Sequence, residues 1–245
     1  MESVILLTGT INPDGMSMTE ITSTDLRKKQ YISSIEYWLK IPEIRVIFVE
    51  NSGYDFSQEL LEYVRSRRIE FLSFNGNNYD KQIGKGLGEL LCIEYALSHS
   101  SIIEDDTFIF KVTGRYKVLN FVTFLNFVKS NNKLEILSDL KLNLTFSDSR
   151  FFGFKKKFVK DYLSLQKHYL NDAKGFYFEN ALTKAALSAI ADGYVFSAMP
   201  DLPRIDGYSG SLGKKFKSNY LHWMKHRIKY YLKYKSFGLG HMPDF

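Results

Sequence analysis

Thr107–Asn120 reads TFIFKVTGRYKVLN, and the rest of the chain is organised around it. Phe108, Ile109, Phe110 and Val112 form a bulky apolar run of the kind that builds a strand buried on both faces. The run breaks at Thr113-Gly114, with Lys111, Arg115 and Lys117 at or just beyond its carboxyl end. In open α/β sheets ligands sit at the carboxyl ends of strands, so an anionic ligand is expected here. The same residues also fit a plain strand that ends in a glycine turn with solvated charges.

Upstream, two more apolar runs, Ser3–Thr8 and Ile44–Val49, read as strands, and Glu70–Phe74 as a shorter third. Between them lie helical patterns. One begins near Thr24, a candidate N-cap, carries Ile32, Ile35 and Leu39 on one face and stops before Pro42. The other is Phe56–Arg67. Strands alternating with helices of this length predict an α/β fold, with a mostly parallel central sheet flanked by helices.

Asn75–Asp80 is a polar loop that runs into Gly84-Lys85-Gly86-Leu87-Gly88-Glu89 and then a buried helix, Leu90–Leu97. The glycines would let backbone approach a phosphate at a helix N-terminus. The GK[ST] ending of a phosphate-binding loop is missing, and so is GxGxxG, so the phosphate signal is weak and a flexible entry into a core helix is the preferred reading of the stretch. Beyond the central strand, Phe121–Ser130 reads as a helix and Leu142–Phe146 as a strand. Lys155–His168 and Ala181–Ala191 read as helices, Tyr194–Met199 as a last strand, and Pro203–Gly210 as a loop.

The 245 residues are 44% apolar, enough for one sizeable core. The short apolar N-terminus lacks a basic lead-in and is not expected to act as a secretory signal. No stretch approaches the roughly 20 apolar residues of a membrane span. The single cysteine, Cys92, excludes an intramolecular disulfide and a cysteine metal cluster, and a cytoplasmic location is expected. The net charge of +6 is uneven: residues 207–245 carry +7 and the first 206 carry −1. A basic segment on a near-neutral body suggests a tail that meets an anionic surface.

That tail, Lys214–Phe237, reads as a helix with Phe216, Tyr220, Met224, Ile228 and Leu232 at i, i+4 spacing and lysines on the adjacent face. It fits a terminal helix packed on the core with a solvated basic side. It fits an amphipathic helix on an anionic membrane surface at least as well. The expected division is residues 1–212 as the main domain and 213–245 as a basic aromatic tail.

Taken in order, ILLTGT, VIFVENSG, GKGLGE, FIFKVTGRY, SDSRFFGF, YFENAL and RIDGYSG resemble the pieces of bacterial cell-surface polysaccharide (capsule or O-antigen) glycosyltransferases. The resemblance covers most of residues 3–212, is most specific at KVTGRY, and leaves the tail out. It implies a GT-A-like, Rossmann-type nucleotide-sugar fold. It also implies transfer of a sugar from a nucleotide-sugar donor to a hydroxyl of a lipid-linked glycan acceptor, at the inner face of the cell membrane.

By that resemblance Thr8, Gly9, Thr10, Glu50 and Asn51 would line the nucleotide pocket, with Lys85 and Gly86 near the phosphates. Lys111, Thr113 and Gly114 would belong to the same donor site. Asp148 and Arg150 would face the sugar or acceptor, and Glu179 would be the general base of an inverting transfer. One departure matters: the Asp-x-Asp that holds a metal after the central strand in such enzymes occurs nowhere here, and Thr113-Gly114-Arg115 stands in its place. Fixed cations can stabilise a departing diphosphate as a divalent metal does, and arginine offers phosphate a two-pronged fork. The expectation is therefore metal-independent transfer with Arg115 on the phosphates, while a lone acid such as Asp148 leaves a manganese or magnesium ion open.

Two other classes fit parts of the sequence. A nucleic-acid-binding or nucleotide-modifying protein would use the tail to grip phosphates, against which the near-neutral body argues, so no nucleic-acid partner is expected. A non-catalytic polysaccharide-assembly subunit would keep the fold without the chemistry.

Overall fold

Strand β1 (Ser3–Gly9) is buried along its whole length and lies third in a seven-stranded sheet. The computed structural model describes residues 2–17, 19–209, 213, 215 and 219–236, the last four of these by their backbone only. On one side of β1 lie β2 (Arg45–Glu50) and β3 (Ile69–Ser73); on the other lies β4 (Phe108–Thr113). All three pairings are parallel, with Thr8 level with Val49 and with Thr113, so the carboxyl ends of β1, β2 and β4 open on one edge. Beyond β4 the pattern changes. The short strand β5 (Tyr116–Val118) leaves the sheet, and β7 (Phe151–Lys155) pairs antiparallel with β4. The two-residue strands β6 (Ile136–Leu137) and β8 (Phe196–Ser197) complete the order β3-β2-β1-β4-β7-β6-β8.

Helices cover both faces. α1 (Thr24–Leu39) buries Tyr31, Ile35 and Trp38. Its N-cap is Ser23 rather than Thr24: the Ser23 hydroxyl accepts from Leu26 N at 3.3 Å. The expected helix over 56–67 is a 3-10 turn (Ser57–Leu60) followed by the short α2 (Leu61–Arg65). α3 (Lys85–His99) starts five residues before the apolar run, within the glycine stretch. α4 (Phe121–Ser130) closes the far face. Rings of Trp38, Phe110, Phe121, Phe124 and Phe151 stack edge-on with centroids about 5 Å apart, a geometry that adds about 0.5–1.5 kcal/mol per pair beyond area burial. This cluster fastens β4 and β7 to α1 and α4.

The second half departs furthest from expectation. Leu142–Phe146 is no strand: Leu142, Asn143 and Leu144 take φ of 48°, 57° and 61°, and the Lys141–Phe146 bridge closes a turn. Left-handed backbone costs a non-glycine residue roughly 1–2 kcal/mol, and both leucines are exposed, so the apolar alternation there has no sheet edge to join. The helix expected over 155–168 is a mixed coil of α5 (Lys156–Phe158), a π turn and 3-10 turns reaching Tyr169. α6 (Phe178–Ala191) begins before the expected Ala181, so Glu179 lies in its first turn. The loop expected at 203–210 contains β9 (Ile205–Gly207), which pairs antiparallel with β5 and ties the chain back to the end of β4.

The last described element is α7 (Tyr220–Ser236). The expected helix start at Lys214, with Phe216, lies outside the described residues, as do the division at 212 and the end at Phe237. α7 touches the body through Trp223, Arg227 and Tyr230. Trp223 Nε1 donates to Leu202 O at 3.0 Å, Arg227 Nε pairs with Asp201 at 2.6 Å, and Tyr230 OH donates to Met199 O at 2.9 Å. Leu221, Ile228 and Leu232 point away and are 77%, 57% and 61% exposed. Among the described residues no helix is long and apolar enough to cross a membrane.

Candidate active site

The carboxyl ends of β1, β2 and β4 form the floor of a cleft with two communicating compartments. Thr8, Gly9, Thr10 and Asn51 line the first, over β1 and β2, and Ser149, Arg150, Tyr177 and Glu179 line the second, over β4 and β7. Lys85, Glu89, Thr113 and Arg115 stand at the junction and face both.

Arg115 follows directly from the break in the central strand. Gly114 N donates to Thr8 O at 2.8 Å, and a Cβ on Gly114 would meet that oxygen at 2.6 Å, so only glycine lets the turn fold this closely onto β1. The turn drives Arg115 inward, where it is 8% exposed and packs over the Tyr31 ring at 5.8 Å. Its Nε and Nη1 are buried and find no acceptor among the described residues. A buried cationic donor without a partner is costly, and a ligand anion in the cleft would satisfy it.

Two further cations converge on the same space. Arg27, from the first turn of α1, donates to Thr10 O at 2.6 Å and Ile21 O at 3.0 Å and lines the first compartment. Burial lowers its pKa, and Arg115 lowers it further. Burial also pulls the Lys85 ammonium down to about 8, helped by repulsion from Arg115 and Arg27. Three like charges gathered around one cleft call for an anion between them.

The carboxylates play different parts. Glu89 projects from α3 onto the floor, where Oε1 pairs with Lys111 Nζ and accepts from Thr113 Oγ1 at 3.3 Å and Thr8 Oγ1 at 3.4 Å. Lys111 is 0% exposed, lies beneath Glu89 and also donates to Ser149 O at 2.7 Å. Burial lowers its ammonium to about 7, against the opposing attraction of the Glu179 and Asp148 carboxylates. Glu179 accepts from Ser149 Oγ at 2.6 Å and faces the second compartment.

Four residues expected in the site are placed elsewhere. Glu50 is fully buried under the pocket. Its carboxylate takes Ile11 N at 2.8 Å and Ser52 N and Tyr54 N at 2.9 Å, which ties together the loops after β1 and β2. Lys111 reaches the ligand space only through Glu89, and Gly114 serves the turn. Asp148 lines a small separate cavity and holds Arg150 through Nε at 2.8 Å. Burial alone would raise the Asp148 carboxyl, but Arg150 and Lys141 hold it at about 2. The backbone N–H groups of Lys85 and Gly86 are also engaged: both donate to Asp172 Oδ2, at 2.7 and 3.4 Å. The glycines of this stretch make room for protein. A Cβ on Gly84, at φ 95°, would come within 2.2 Å of Asp172, and one on Gly88 within 2.6 Å of the Tyr79 hydroxyl.

Sequence reasoning passed over Arg27, Glu89 and Asp172. Arg27 continues the buried stripe Tyr31–Ile35 by one step of four, so an arginine on the apolar side of α1 was a usable signal. Glu89 was a lone acid at the head of an apolar helix. Nothing local marks Asp172.

The donor set does not fit a divalent cation. No group of three histidine, cysteine, aspartate or glutamate residues that could hold one occurs among the described residues. One oxygen each of Glu89 and Glu179 is taken by Lys111 and by Ser149, Asp148 is held by Arg150, and the cations Arg115 and Lys85 line the cleft beside them.

No protein-family model matches the chain, and neither does any curated protein sequence. Solved structures do resemble it in fold. A putative nucleotide-diphospho-sugar transferase from Desulfovibrio desulfuricans G20 is 11% identical with a TM-score of 0.45, over 81% of this chain and 80% of its own. Residues 1–349 of TarS from S. aureus are 13% identical with a TM-score of 0.38, over 66% of this chain and 49% of that one, so the chain spans about half of that relative's length. The inositol-1-phosphate CTP transferase from T. maritima is 13% identical with a TM-score of 0.40, over 81% of this chain and 84% of its own. At such identities the likeness is one of fold, and with TM-scores below 0.5 none of them assigns a reaction to this chain.

Proposed function

We propose that this chain is a glycosyltransferase that moves a sugar from a nucleotide-sugar donor to a hydroxyl of a glycan acceptor, without a catalytic metal. The observation that carries the reading is the buried, unpartnered guanidinium of Arg115, with Lys85 and Arg27 beside it, at the carboxyl end of the central strand. A nucleoside diphosphate departing from a sugar develops negative charge at its phosphates, and preorganised cations in a shielded cleft stabilise that charge without reorganising. The nucleotide lies over Thr8, Thr10 and Asn51, and the acceptor enters the second compartment. There Glu179 removes the proton of the attacking hydroxyl, and Ser149 fixes the direction of its carboxylate.

The test is product analysis with a panel of UDP-, GDP-, CMP- and dTDP-sugars. Release of free nucleoside diphosphate (CMP from the CMP-sugar), stimulated by a glycan acceptor and undiminished by EDTA, is the expected result. Release of pyrophosphate from a nucleoside triphosphate plus a sugar phosphate would turn the reading into nucleotidyl transfer. A folded protein that binds no nucleotide at all would end it.

The acceptor in this proposal is lipid-linked, carried on the inner face of the cell membrane in capsule or O-antigen synthesis, and α7 holds the enzyme there. Its outward Leu221, Ile228 and Leu232 are flanked by Lys225 and Lys229, and the helix bears no acid. Near an anionic leaflet each lysine is worth about 1 kcal/mol, and the leucines add burial that salt does not screen. Leu221→Ser/Ile228→Ser/Leu232→Ser should stop co-sedimentation with phosphatidylglycerol liposomes while leaving nucleotide binding and the thermal transition unchanged. A shifted transition would assign the stripe to packing.

A further inference from the structure

We infer that Glu89 reads the transferred sugar, accepting a hydroxyl of the donor glycosyl group on the carboxylate oxygen that the protein leaves open; this rests on the glycosyl-transfer reading. The ion pair beneath it explains why the carboxylate is there. A lysine with no exposed surface, set in the central strand, is neutralised by Glu89 alone among the carboxylates it touches. Buried ion pairs contribute little net stability over apolar side chains of the same volume, so stability does not account for this one. What the pair does achieve is a carboxylate held in one place on the cleft floor. Oε1 is consumed by Lys111, Thr113 and Thr8, while among the described residues no hydrogen bond reaches Oε2.

The surroundings select the ligand group. Arg115 and Lys85 stand at the same junction and attract the phosphates, whereas a carboxylate repels them. The part of the donor beside Glu89 is therefore neutral and rich in hydroxyl donors, which describes the sugar next to the phosphate it is leaving. The position is also tied to the chemistry. Lys111 donates to Ser149 O and Ser149 Oγ donates to Glu179, so Lys111 and Ser149 link the sugar-reading carboxylate to the proposed base and set their separation. A charge-assisted hydroxyl–carboxylate bond of this kind accounts for roughly 10- to 100-fold in affinity.

Calorimetry with matched pairs tests it: UDP against UDP-glucose and UDP-N-acetylglucosamine, GDP against GDP-mannose, dTDP against dTDP-glucose. The quantity read is the affinity gained on adding the sugar. In the wild type at least one pair should show a gain; in Glu89→Gln the gain should fall by about 10- to 100-fold with the bare nucleotide's affinity unchanged. Because Glu89→Gln leaves Lys111 unpaired, Glu89→Gln/Lys111→Met, which buries no charge, is the second variant. Wild-type protein with donors lacking one sugar hydroxyl at a time needs no variant, and one such analogue should lose the same increment. A gain preserved in the double variant, an equal loss for nucleotide and nucleotide-sugar, no gain in the wild type, or full affinity for every deoxy analogue would each overturn the inference while leaving the transferase reading intact. Failure of every bare nucleotide to bind the wild type would instead sink that reading.

Discussion

The sheet differs on the two sides of β4. Towards β3 it is parallel and regular, with β1 and β2 buried almost throughout; towards β8 it is mixed, antiparallel at β4–β7 and β7–β6 and parallel at β6–β8, and ends in strands of two residues. The regular side brings the ends of three strands level and offers a narrow compartment whose polar groups are mostly engaged with one another, as Thr10 is with Asn51 at 2.6 Å. The irregular side replaces strand with turn, coil and the two-stranded β5–β9 clip, leaving a wider compartment bounded by α6. A repeated cofactor-like group suits the first and a variable acceptor the second. Arg115 reaches the border because a strand break at a glycine lets the backbone turn a side chain inward, and Lys85 joins it there from the start of α3.

The comparison breaks first at Arg115. Arg115→Ala should lower turnover by about 10²–10³-fold, as losing a preorganised charge-stabilising donor does, and Arg115→Lys should restore only part, since an ammonium lacks the fork. Steady-state rates of all three proteins check this, and equal rates would move the phosphates elsewhere.

Next comes the other compartment. Glu179→Gln keeps size and hydrogen bonding but takes no proton, so turnover should drop by about 10²-fold or more while donor affinity stays the same. A fully active variant, or a product that keeps the donor's anomeric configuration, would remove Glu179 as base.

The smallest effect sharpens the boundary between site and scaffold. Asp148 has its carboxyl lowered from the ordinary 3.8 to about 2 in the folded protein. The unfolded state therefore binds more protons between those values, so the contribution to stability is present above about pH 4 and disappears as pH falls towards 2. By the linkage relation it amounts to roughly 2 kcal/mol at neutral pH. Asp148→Asn should lose about that much in urea denaturation at pH 7, and the gap from wild type should close below pH 4. A variant as stable as wild type at pH 7 would show that Arg150 needs no such anchor.

Much of this molecule was legible before folding and part was not, for reasons visible in particular residues. Short apolar runs rich in β-branched and aromatic residues, such as Val4–Leu7 and Phe108–Phe110, read as strands buried on both faces. That reasoning located the parallel half and, from it, the strand ends where Thr8, Thr10 and Arg115 meet. Of the stripe read from the period of the tail, Tyr220, Ile228 and Leu232 are exposed and Met224 is half-buried, while Leu221, outside that stripe, is the most exposed of the apolar residues described on α7.

What needed the tertiary structure is where side chains point and which distant partners they find. Glu50, Lys111 and Asp148 sit beside lining residues in sequence yet turn away from the cleft, each drawn to donors or to a charge that only the folded chain brings near. Asp172 reaches α3 across 87 residues, and Arg27 joins Arg115 from another layer. Leu142–Phe146 carries a strand's alternation but reverses, because alternation creates a strand only where a neighbouring edge supplies hydrogen bonds. Local sequence decided which segments had to be buried, since burial follows from side-chain chemistry alone. The assembled sheet decided which charges face one another, since that depends on distances between segments far apart in the chain.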